Sequence, residues 1–298
     1  MDKTKVIVTG GAGFIGSNLA DALVELGYDV HVVDNLVAGN REHVNNESTL
    51  HIIDIENLED LKKVFSGAEY VFHLAALPRV QYSIEYPLET HKTNVNGTHN
   101  VLIAAKECGV KRVIYAASSS FYGDQEIMPL HEEMSPRPKS PYALHKYIGE
   151  IYCKMWSELH NLETVSLRYF NVYGPRQSGE GAYALVIARF LKQKSEGLPF
   201  TITGDGEQTR DYTHVRDIVR ANILAMESKN VGKGEVINIG TGKNVSVNTI
   251  AKMIGGEFTY VAPRIEPKHT LADNRKAKEL LGWYSTVTIE DGIKEFLD

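Results

Sequence analysis

The chain has 298 residues, enough to bury one large core or two modest ones. Its hydrophobic content of 43% and charged content of 23% are ordinary for a globular protein. No apolar run approaches the roughly 18 residues that a membrane helix needs. The formal net charge of −6, with no basic block to offset it, argues against nucleic acid as the main partner. A negatively charged ligand would have to be held by local arginines and backbone amides.

The cysteines and the amino terminus indicate the compartment. Cys108 and Cys153 match no metal-ligand spacing and are typical of reduced thiols. The chain runs directly into a strand-like stretch at 5–9, which leaves no room for a signal peptide. We therefore expect a cytoplasmic protein that binds no metal and does not enter a membrane.

Short β-branched runs alternate with amphipathic stretches over the first 170 or so residues. The predicted strands are 5–9, 30–34, 50–54, 70–74, 112–118 and 164–169. The predicted helices are 15–26, 58–65, 93–108 and 141–160. Strand–helix alternation predicts an α/β fold with a doubly wound parallel sheet. After about residue 172, glycine- and proline-bearing loops separate shorter elements, so we predict one domain over 1–171 and a smaller lobe over 172–298, with 236–239 returning to the main sheet.

Three glycines follow the first predicted strand with the spacing G-x-x-G-x-x-G. Gly10, Gly13 and Gly16 permit a tight turn and close approach of the backbone to a pyrophosphate. The helix that opens at Phe14 and Ile15 then directs free N–H groups at the phosphates. The pattern predicts a Rossmann-type dinucleotide site, although a glycine turn without a ligand fits it as well.

Acidic residues at the ends of the next strands refine the prediction. Asp34 ends the second predicted strand, where its carboxylate would accept hydrogen bonds from ribose hydroxyls and repel a 2′-phosphate. This favours NAD over NADP as the cofactor. Asn35 follows directly, and Asp34-Asn35 also reads as a turn. Asp54 and Ile55 end the third strand, within reach of the adenine edge.

Tyr142 and Lys146 lie four residues apart on a predicted helix, so they share one face. We expect Lys146 and an oxidised nicotinamide to lower the pKa of the phenol toward the range of a general base. The alternative is a surface pair without function. Ser118, Ser119 and Ser120 end the fifth strand at the same edge of the sheet, and a hydroxyl there could join a sugar hydroxyl to Tyr142.

Eight strings together resemble the extended short-chain dehydrogenase/reductase superfamily, and within it the nucleotide-sugar 4-epimerases. They are GGAGFIG (10–16), HLAA (73–76), NVNGT (94–98), AASSSFYGD (116–124), SPYALHK (140–146), RYFNVYGPRQ (168–177), TRDYTHV (209–215) and ADNRKAKELLGW (272–283). The resemblance covers essentially the whole chain. It implies that Ser118 and Tyr142 flank the hydroxyl at sugar C4 and that Lys146 supports Tyr142 and the nicotinamide ribose.

Further site residues come from the same resemblance. Those expected to contact NAD are Leu74, Ala75, Ala76, Asn94, Ala116 and Phe170. Those expected to contact the substrate are Arg79, Asn171, Ala184, Val186, Arg210, Arg264, Glu266 and Thr270, with Arg210 and Arg264 on the diphosphate and Glu266 on the uridine ribose. The resemblance implies an isomerase that oxidises a UDP-hexose at C4, lets the 4-keto sugar turn, and reduces its other face.

Side chains favour some sibling reactions over others. Ser119 and Ser120 replace the acid pair of sugar dehydratases, while Arg79 keeps a uronic-acid substrate open. Thr270 and the small Ala184 favour UDP-GlcNAc/UDP-GalNAc, with or without UDP-Glc/UDP-Gal. A different class, a non-catalytic NAD sensor, would be expected to lose the Tyr142–Lys146 pair.

The family usually dimerises through two helices, here 93–108 and 141–160. The apolar residues that could form this seam are Val101, Leu102, Ala105, Ile148, Ile151, Tyr152 and Met155. The alternative is that these side chains face the sheet of their own monomer.

Overall fold

A computed structural model describes residues 3–179, 185–263 and 267–297. Its strands are β1 (Lys5–Thr9), β2 (Asp29–Asp34), β3 (Thr49–Ile52), β4 (Tyr70–His73), β5 (Arg112–Ser118), β6 (Glu163–Tyr169), β7 (Val172–Tyr173), β8 (Phe200–Thr203), β9 (Thr209–Arg210), β10 (Thr213–His214), β11 (Lys233–Ile239), β12 (Val245–Ser246) and β13 (Phe258–Val261). Its α-helices are α1 (Phe14–Glu25), α2 (Leu58–Phe65), α3 (Val80–Glu85), α4 (Pro87–His91), α5 (Thr98–Glu107), α6 (Pro141–His160), α7 (Val186–Ser195), α8 (Val215–Glu227), α9 (Val247–Ile254), α10 (Arg275–Leu281) and α11 (Ile289–Lys294).

Seven parallel strands form the central sheet in the order β11-β6-β5-β4-β1-β2-β3. The chain leaves β1 toward one edge and returns to the other side of β1 at β4, so the sheet is doubly wound. This confirms the predicted α/β, Rossmann-type fold. Because all neighbours are parallel, the carboxyl ends of the strands meet along one edge, which is where open sheets of this kind bind ligands.

The sheet is buried on both faces. Val6, Ile7 and Val8 of β1 have no exposed surface, as their continuous apolar run predicts for a central strand. Val6 and Val8 pack with α1 and α8 on one face, and Ile7 packs with α2 and α5 on the other. Alternate residues of the strand therefore pack into two separate hydrophobic cores, one on each face of the sheet.

The long helix predicted over 93–108 is divided. Residues Lys92–Gly97 form a π-helical turn, and α5 follows it. Such turns are rare and concentrate at functional sites. The buried Asn94 side chain uses this turn to bond the backbone of Leu77, accepting from its N–H at 2.8 Å and donating to its carbonyl at 3.1 Å.

The proposed dimer seam is wrong in part. Val101, Leu102 and Ala105 have no exposed surface and pack in the core between α5 and the sheet. They face the sheet of their own monomer, as the alternative predicts, and are not available to a second protomer. On α6, by contrast, Ile151 is 48% exposed.

After β6 the chain builds small ribbons. β7 pairs with β10, β9 with β12, and β8 with β13, each as a two-stranded sheet. A separate apolar core, which includes Phe190, Phe200 and Ile250, lies under α7 and α9. β11 pairs with β6 in the central sheet, and the division into 1–171 and 172–298 stays a prediction. Among the described residues, no helix is long and apolar enough to cross a membrane.

Candidate active site

A cleft of about 1840 Å³ runs along the carboxyl ends of the sheet strands. One wall comes from the loops after β1, β2, β4 and β5, and the other comes from α7 and the segments around β9 and residue 270. The cleft extends from the glycine loop at one end to the C-terminal ribbons at the other. The cleft therefore has room for an extended dinucleotide and a second ligand beside it.

The glycine loop requires glycine at two of the three predicted positions, Gly10 and Gly16. Gly10 has φ +72°, and a Cβ there would lie 2.6 Å from the backbone nitrogen of Ala75. A Cβ on Gly16 would lie 2.1 Å from the carbonyl oxygen of Gly10. Gly13 provides no side-chain cap to α1, and Phe14 and Ile15 line the cleft. The first N–H groups of α1 are thus available to an anion.

Asp34 lies at the cleft and is 8% exposed. Its carboxylate accepts from the N–H of Ala12 at 3.0 Å and from the N–H of Leu36 at 2.8 Å. Burial raises the pKa of Asp34, and these two backbone bonds oppose the rise. The residue acts as a turn residue and also faces the cleft, so the two interpretations of the sequence are compatible.

The neighbouring polar residues form the far end of the same wall. Asn35 donates to the Asp54 carboxylate at 2.8 Å, and the other oxygen of Asp54 accepts from the N–H of Glu56. Asn35, Asp54 and Ile55 all line the cleft. The structure therefore brings together the predicted adenosine end of the site.

Tyr142 and the serines meet at the end of β5. Ser118 neighbours the phenol of Tyr142 and favours its ionised form, and Ser120 donates to the Ser118 hydroxyl at 2.9 Å. Tyr142 is the second residue of α6, a helix that begins at Pro141 and is capped by Ser140. Ser118, Ser119, Ser120 and Tyr142 all line the cleft, as the sequence predicts.

The expected electrostatic effect of Lys146 on Tyr142 is not found. Burial raises the pKa of Tyr142, and only the neighbouring Ser118 hydroxyl opposes that rise. Lys146 instead donates to the carbonyl of Ala116 at 2.7 Å, and burial lowers its own pKa to about 8. The four-residue spacing places both groups on one face of α6, but the pKa of Tyr142 is set by desolvation and by Ser118, with no contribution from Lys146.

The segment after β4 forms the floor beside Tyr142. Leu74, Ala75 and Ala76 line the cleft, and Ala116 faces them from β5. Asn94 does not line the cleft but fixes this segment through its bonds to Leu77. Phe170 is also absent from the cleft wall.

Phe170 is fully buried in an apolar cluster with Phe121, Tyr122, Leu130 and Ala272. The expected contact between Phe170 and the cofactor is therefore not found. Its large apolar ring fills the core behind the cleft and has no surface left for a ligand. Asn171, the next residue, does line the cleft.

The opposite wall carries the predicted substrate residues that the structure describes. Asn171 donates to the carbonyl of Asp211 at 3.1 Å and to the Thr270 hydroxyl at 3.3 Å. Arg210 bonds the carbonyls of Thr209 and Lys268 and faces the cleft. Arg79, at the start of α3, and Val186, at the start of α7, also line it. Ala184, Arg264 and Glu266 lie outside the described residues.

Several wall residues were missed by the sequence analysis. Gln177, Arg189 and Tyr212 line the cleft from the C-terminal side, and Val80 and Ile84 line it from α3. Gln177 closes the RYFNVYGPRQ string, which could have flagged it. Arg189 and the α3 residues carry no local motif, because only the tertiary fold brings them to the site.

Comparison with known proteins identifies the family. Residues 6–240 match the model of the NAD dependent epimerase/dehydratase family. The chain belongs to this family. It is 38% identical to a putative UDP-glucose 4-epimerase of Methanocaldococcus jannaschii, over 98% of this chain and 97% of the relative.

Solved structures agree with the sequence match. The UDP-glucose 4-epimerase of Thermotoga maritima with UDP-glucose is 40% identical, with a TM-score of 0.94, over 99% of this chain and 98% of that one. The UDP-N-acetylglucosamine 4-epimerase of Methanobrevibacter ruminantium in complex with UDP-N-acetylmuramic acid is 36% identical, with a TM-score of 0.93, over 100% and 99%.

As a member of this family the chain is an enzyme, and its cofactor is NAD. The residues present fit that cofactor. The glycine loop excludes a Cβ at Gly10 and Gly16, the uncapped start of α1 offers N–H groups to a pyrophosphate, and the Asp34 carboxylate stands at the end of β2. Lys146 and Tyr142 lie farther along the same cleft, where the nicotinamide ribose would be held.

Proposed function

We propose that this family member is an isomerase that inverts C4 of a UDP-hexose. The observation that carries the proposal is the half-buried phenol of Tyr142 beside Ser118, in a cleft that also contains a dinucleotide loop. A phenol in that position can exchange a proton with a sugar hydroxyl while the carbon exchanges hydrogen with the cofactor. The relatives named UDP-sugar 4-epimerases support the same reaction.

Each residue has a distinct task in the proposed reaction. When bound, NAD supplies the hydride acceptor and donor for C4 and, in its oxidised form, a positive charge that favours a nearby phenolate. Tyr142 takes the proton of the 4-hydroxyl and later returns it to the 4-keto oxygen on the opposite face of the ring. Ser118 holds the same oxygen by a hydrogen bond. Lys146 remains fixed by the carbonyl of Ala116.

The sugar has to turn while the nucleotide stays in place. Arg210 is proposed to hold the diphosphate, because a guanidinium can bond two phosphate oxygens at once. Its two bonds to backbone carbonyls keep the side chain at the cleft wall. Arg264 and Glu266 are proposed to bind the diphosphate and the uridine ribose, as the family resemblance implies.

The hexose is proposed to be UDP-GlcNAc/UDP-GalNAc, UDP-Glc/UDP-Gal or both. Thr270 at the cleft wall is small, and its hydroxyl is already bonded by Asn171, so it leaves space beside the sugar. The similarity to a UDP-N-acetylglucosamine 4-epimerase supports an acetylated substrate. A second candidate is a UDP-uronic acid, because Arg79 faces the same cleft and could pair with a C6 carboxylate.

The test is incubation of the purified enzyme with UDP-, GDP- and dTDP-hexoses and with UDP-glucuronic acid, followed by chromatography of the products. We expect each UDP-hexose to be converted to its C4 epimer. Turnover of the uronic acid alone would establish the second candidate. A protein that binds NAD and converts none of them would be a sensor.

Replacement of the base sharpens the test. Tyr142→Phe is expected to lower kcat by about 10²–10⁴-fold and to leave NAD binding unchanged, because only the proton carrier is lost. Tyr152→Phe on the same helix is the control, since Tyr152 stacks on His99 away from the cleft. Equal rates for Tyr142→Phe and the parent would reject the role of Tyr142.

We also propose a homodimer formed through α6. Leu144, Ile151 and Leu159 are 44%, 48% and 68% exposed and follow each other at intervals of seven and eight residues, which is one face of a helix. Sedimentation of the enzyme tests this, and Ile151→Glu is expected to give monomers if the face is the interface.

A further inference from the structure

Every N–H group in the first turn of α6 can be accounted for. Pro141 has none, Ala143 donates to the Ser140 hydroxyl at 3.1 Å, and Leu144 donates to the Ser140 carbonyl at 3.1 Å. The N–H of Tyr142 has no partner within its own helix or cap. It donates instead to the hydroxyl of Ser83, 59 residues earlier in the chain, at 3.0 Å.

Ser83 is built for this contact. Its side chain belongs to α3 and is fully buried. The hydroxyl donates to the carbonyl of Val80 at 2.6 Å and accepts from Tyr142, so its proton and one lone pair are both in use. The donor direction is thereby fixed, because a backbone N–H can only donate.

The other face of α3 belongs to the cleft. Val80, Gln81 and Ile84 line it, and Val80 and Ile84 are 46% and 50% exposed toward that space. The same short helix therefore contacts the backbone of Tyr142 on one side and forms the apolar wall opposite the serines on the other. The Ser83 hydroxyl provides a hydrogen bond between this wall and the backbone of Tyr142.

We propose that Ser83 is a positioning residue that fixes the distance between Tyr142 and the wall confining the sugar. The inference rests on the proposed role of Tyr142 as the base. With Ser83 in place, the wall limits how far the 4-keto sugar can move from the phenol while it turns. Without it, α3 can separate from α6, and the intermediate can leave the cleft before it is reduced.

The first experiment measures hydrogen exchange at the Tyr142 amide in the free enzyme. First-turn amides exchange rapidly unless something outside the helix protects them, so slow exchange at Tyr142 reports the Ser83 bond. Ser83→Ala is expected to speed this exchange by about three- to tenfold, the equivalent of one ordinary hydrogen bond. Thr90→Val is the matched control.

Thr90 is a suitable control because its side chain is equally buried, but its hydroxyl donates to the carbonyls of Tyr86 and Pro87 at the start of its own helix, α4. Its replacement removes hydrogen bonds from the same arm of the chain but none that reaches α6. Faster exchange at Tyr142 in both variants, or in neither, would overturn the proposed bond.

The second experiment measures how often a turnover fails. When the 4-keto sugar leaves early, hydride stays on the cofactor and the enzyme accumulates absorbance of reduced nicotinamide. Ser83→Ala is expected to raise the fraction of turnovers that end this way about tenfold, since small displacements near reacting groups have large effects. Thr90→Val is expected to leave that fraction unchanged.

This fraction is counted per turnover, so a simple loss of folded enzyme does not change it. An unchanged fraction in Ser83→Ala, with Tyr142→Phe inactive, would reject the role of Ser83 and leave the proposed function standing. Normal turnover by Tyr142→Phe would reject the role of Tyr142 as the base, on which this inference rests, while the exchange measurement would still judge the Ser83 bond.

Discussion

The first half of the chain and the ribbons after β6 satisfy their backbone hydrogen-bonding groups in different ways. In the central sheet, neighbouring strands pair over four to seven residues, and the ladder itself provides the hydrogen bonds. Of the C-terminal ribbons, β8–β13 pairs over four residues, but β7–β10 and β9–β12 pair over only two. Side-chain carboxylates replace much of the missing ladder there.

Two aspartates show how this works. Asp211 has no exposed surface and accepts from the N–H groups of Thr241, Gly242 and Ala272, and from the Thr241 hydroxyl. Asp217 accepts in the same way from Thr286 and Val287. Each carboxylate ties together segments that are distant in sequence.

The difference has a consequence for the site. The wall that holds the cofactor is supported by many equivalent strand bonds, whereas the wall proposed to bind the substrate depends on a few individual side chains. Single substitutions in the second wall should alter local geometry, while in the first wall only buried charges should have large effects.

The largest expected effect on stability is in the first half, at the ion pair between α6 and β6. Glu150 and Arg168 are each 3% exposed and share two bonds of 2.8 Å. Glu150→Gln is expected to lower the free energy of unfolding by about 3–5 kcal/mol, because it leaves the Arg168 charge buried and unpaired. Denaturant unfolding measures the loss.

A double variant separates charge from packing in that prediction. Glu150→Met with Arg168→Met is expected to recover most of the stability, since removing both charges avoids the cost of burying one alone. If the single variant were as stable as the parent, the ion pair would not be the element that distinguishes this half.

A smaller and more local effect is expected at Asp217. Asp217→Asn turns an amide NH₂ toward backbone N–H groups and is expected to lower the free energy of unfolding by about 1–3 kcal/mol. Hydrogen exchange should increase at Thr286 and Val287, with NAD binding unchanged. Asp205→Asn, an exposed turn residue, is the control. A loss of NAD binding would show that the two walls are not independent.

The effect that is smallest at neutral pH is the pH dependence of stability set by His73 in the first half. His73 is 1% exposed between the hydroxyls of Thr9 and Thr98, and burial lowers its pKa to about 3. Below about pH 6.5 the unfolded chain binds a proton that the folded chain does not. Stability should therefore fall by roughly 1.4 kcal/mol per pH unit between about pH 6.5 and pH 3 from this group.

The measurement is unfolding by denaturant at a series of pH values. His73→Gln is expected to be less stable near neutral pH but to lack this part of the slope, so its difference from the parent should shrink as the pH falls. A constant difference would mean that His73 does not carry the effect. His269→Gln, an exposed histidine, should follow the parent.

Much of the first half was accessible from the sequence. The strand runs and the glycine spacing predicted the sheet and the cofactor loop to within a few residues, because hydrophobic period and glycine geometry are local properties. The π-helical turn at Lys92–Gly97 was not predicted, since it depends on the contact between Asn94 and Leu77. The burial of Phe170 was missed for the same kind of reason: its surroundings come from four other parts of the chain.

The sequence by itself determined the alternation of strands and helices, the glycine loop, and the four-residue interval that puts Tyr142 and Lys146 on one face. Only the tertiary structure decided the electrostatics and the outline of the cleft. Burial raises the pKa of Tyr142. The ammonium of Lys146 donates to the carbonyl of Ala116, and the hydroxyl of Ser83 accepts from the backbone N–H of Tyr142. Desolvation and long-range hydrogen bonds depend on which surfaces meet, and no short stretch of sequence contains that information.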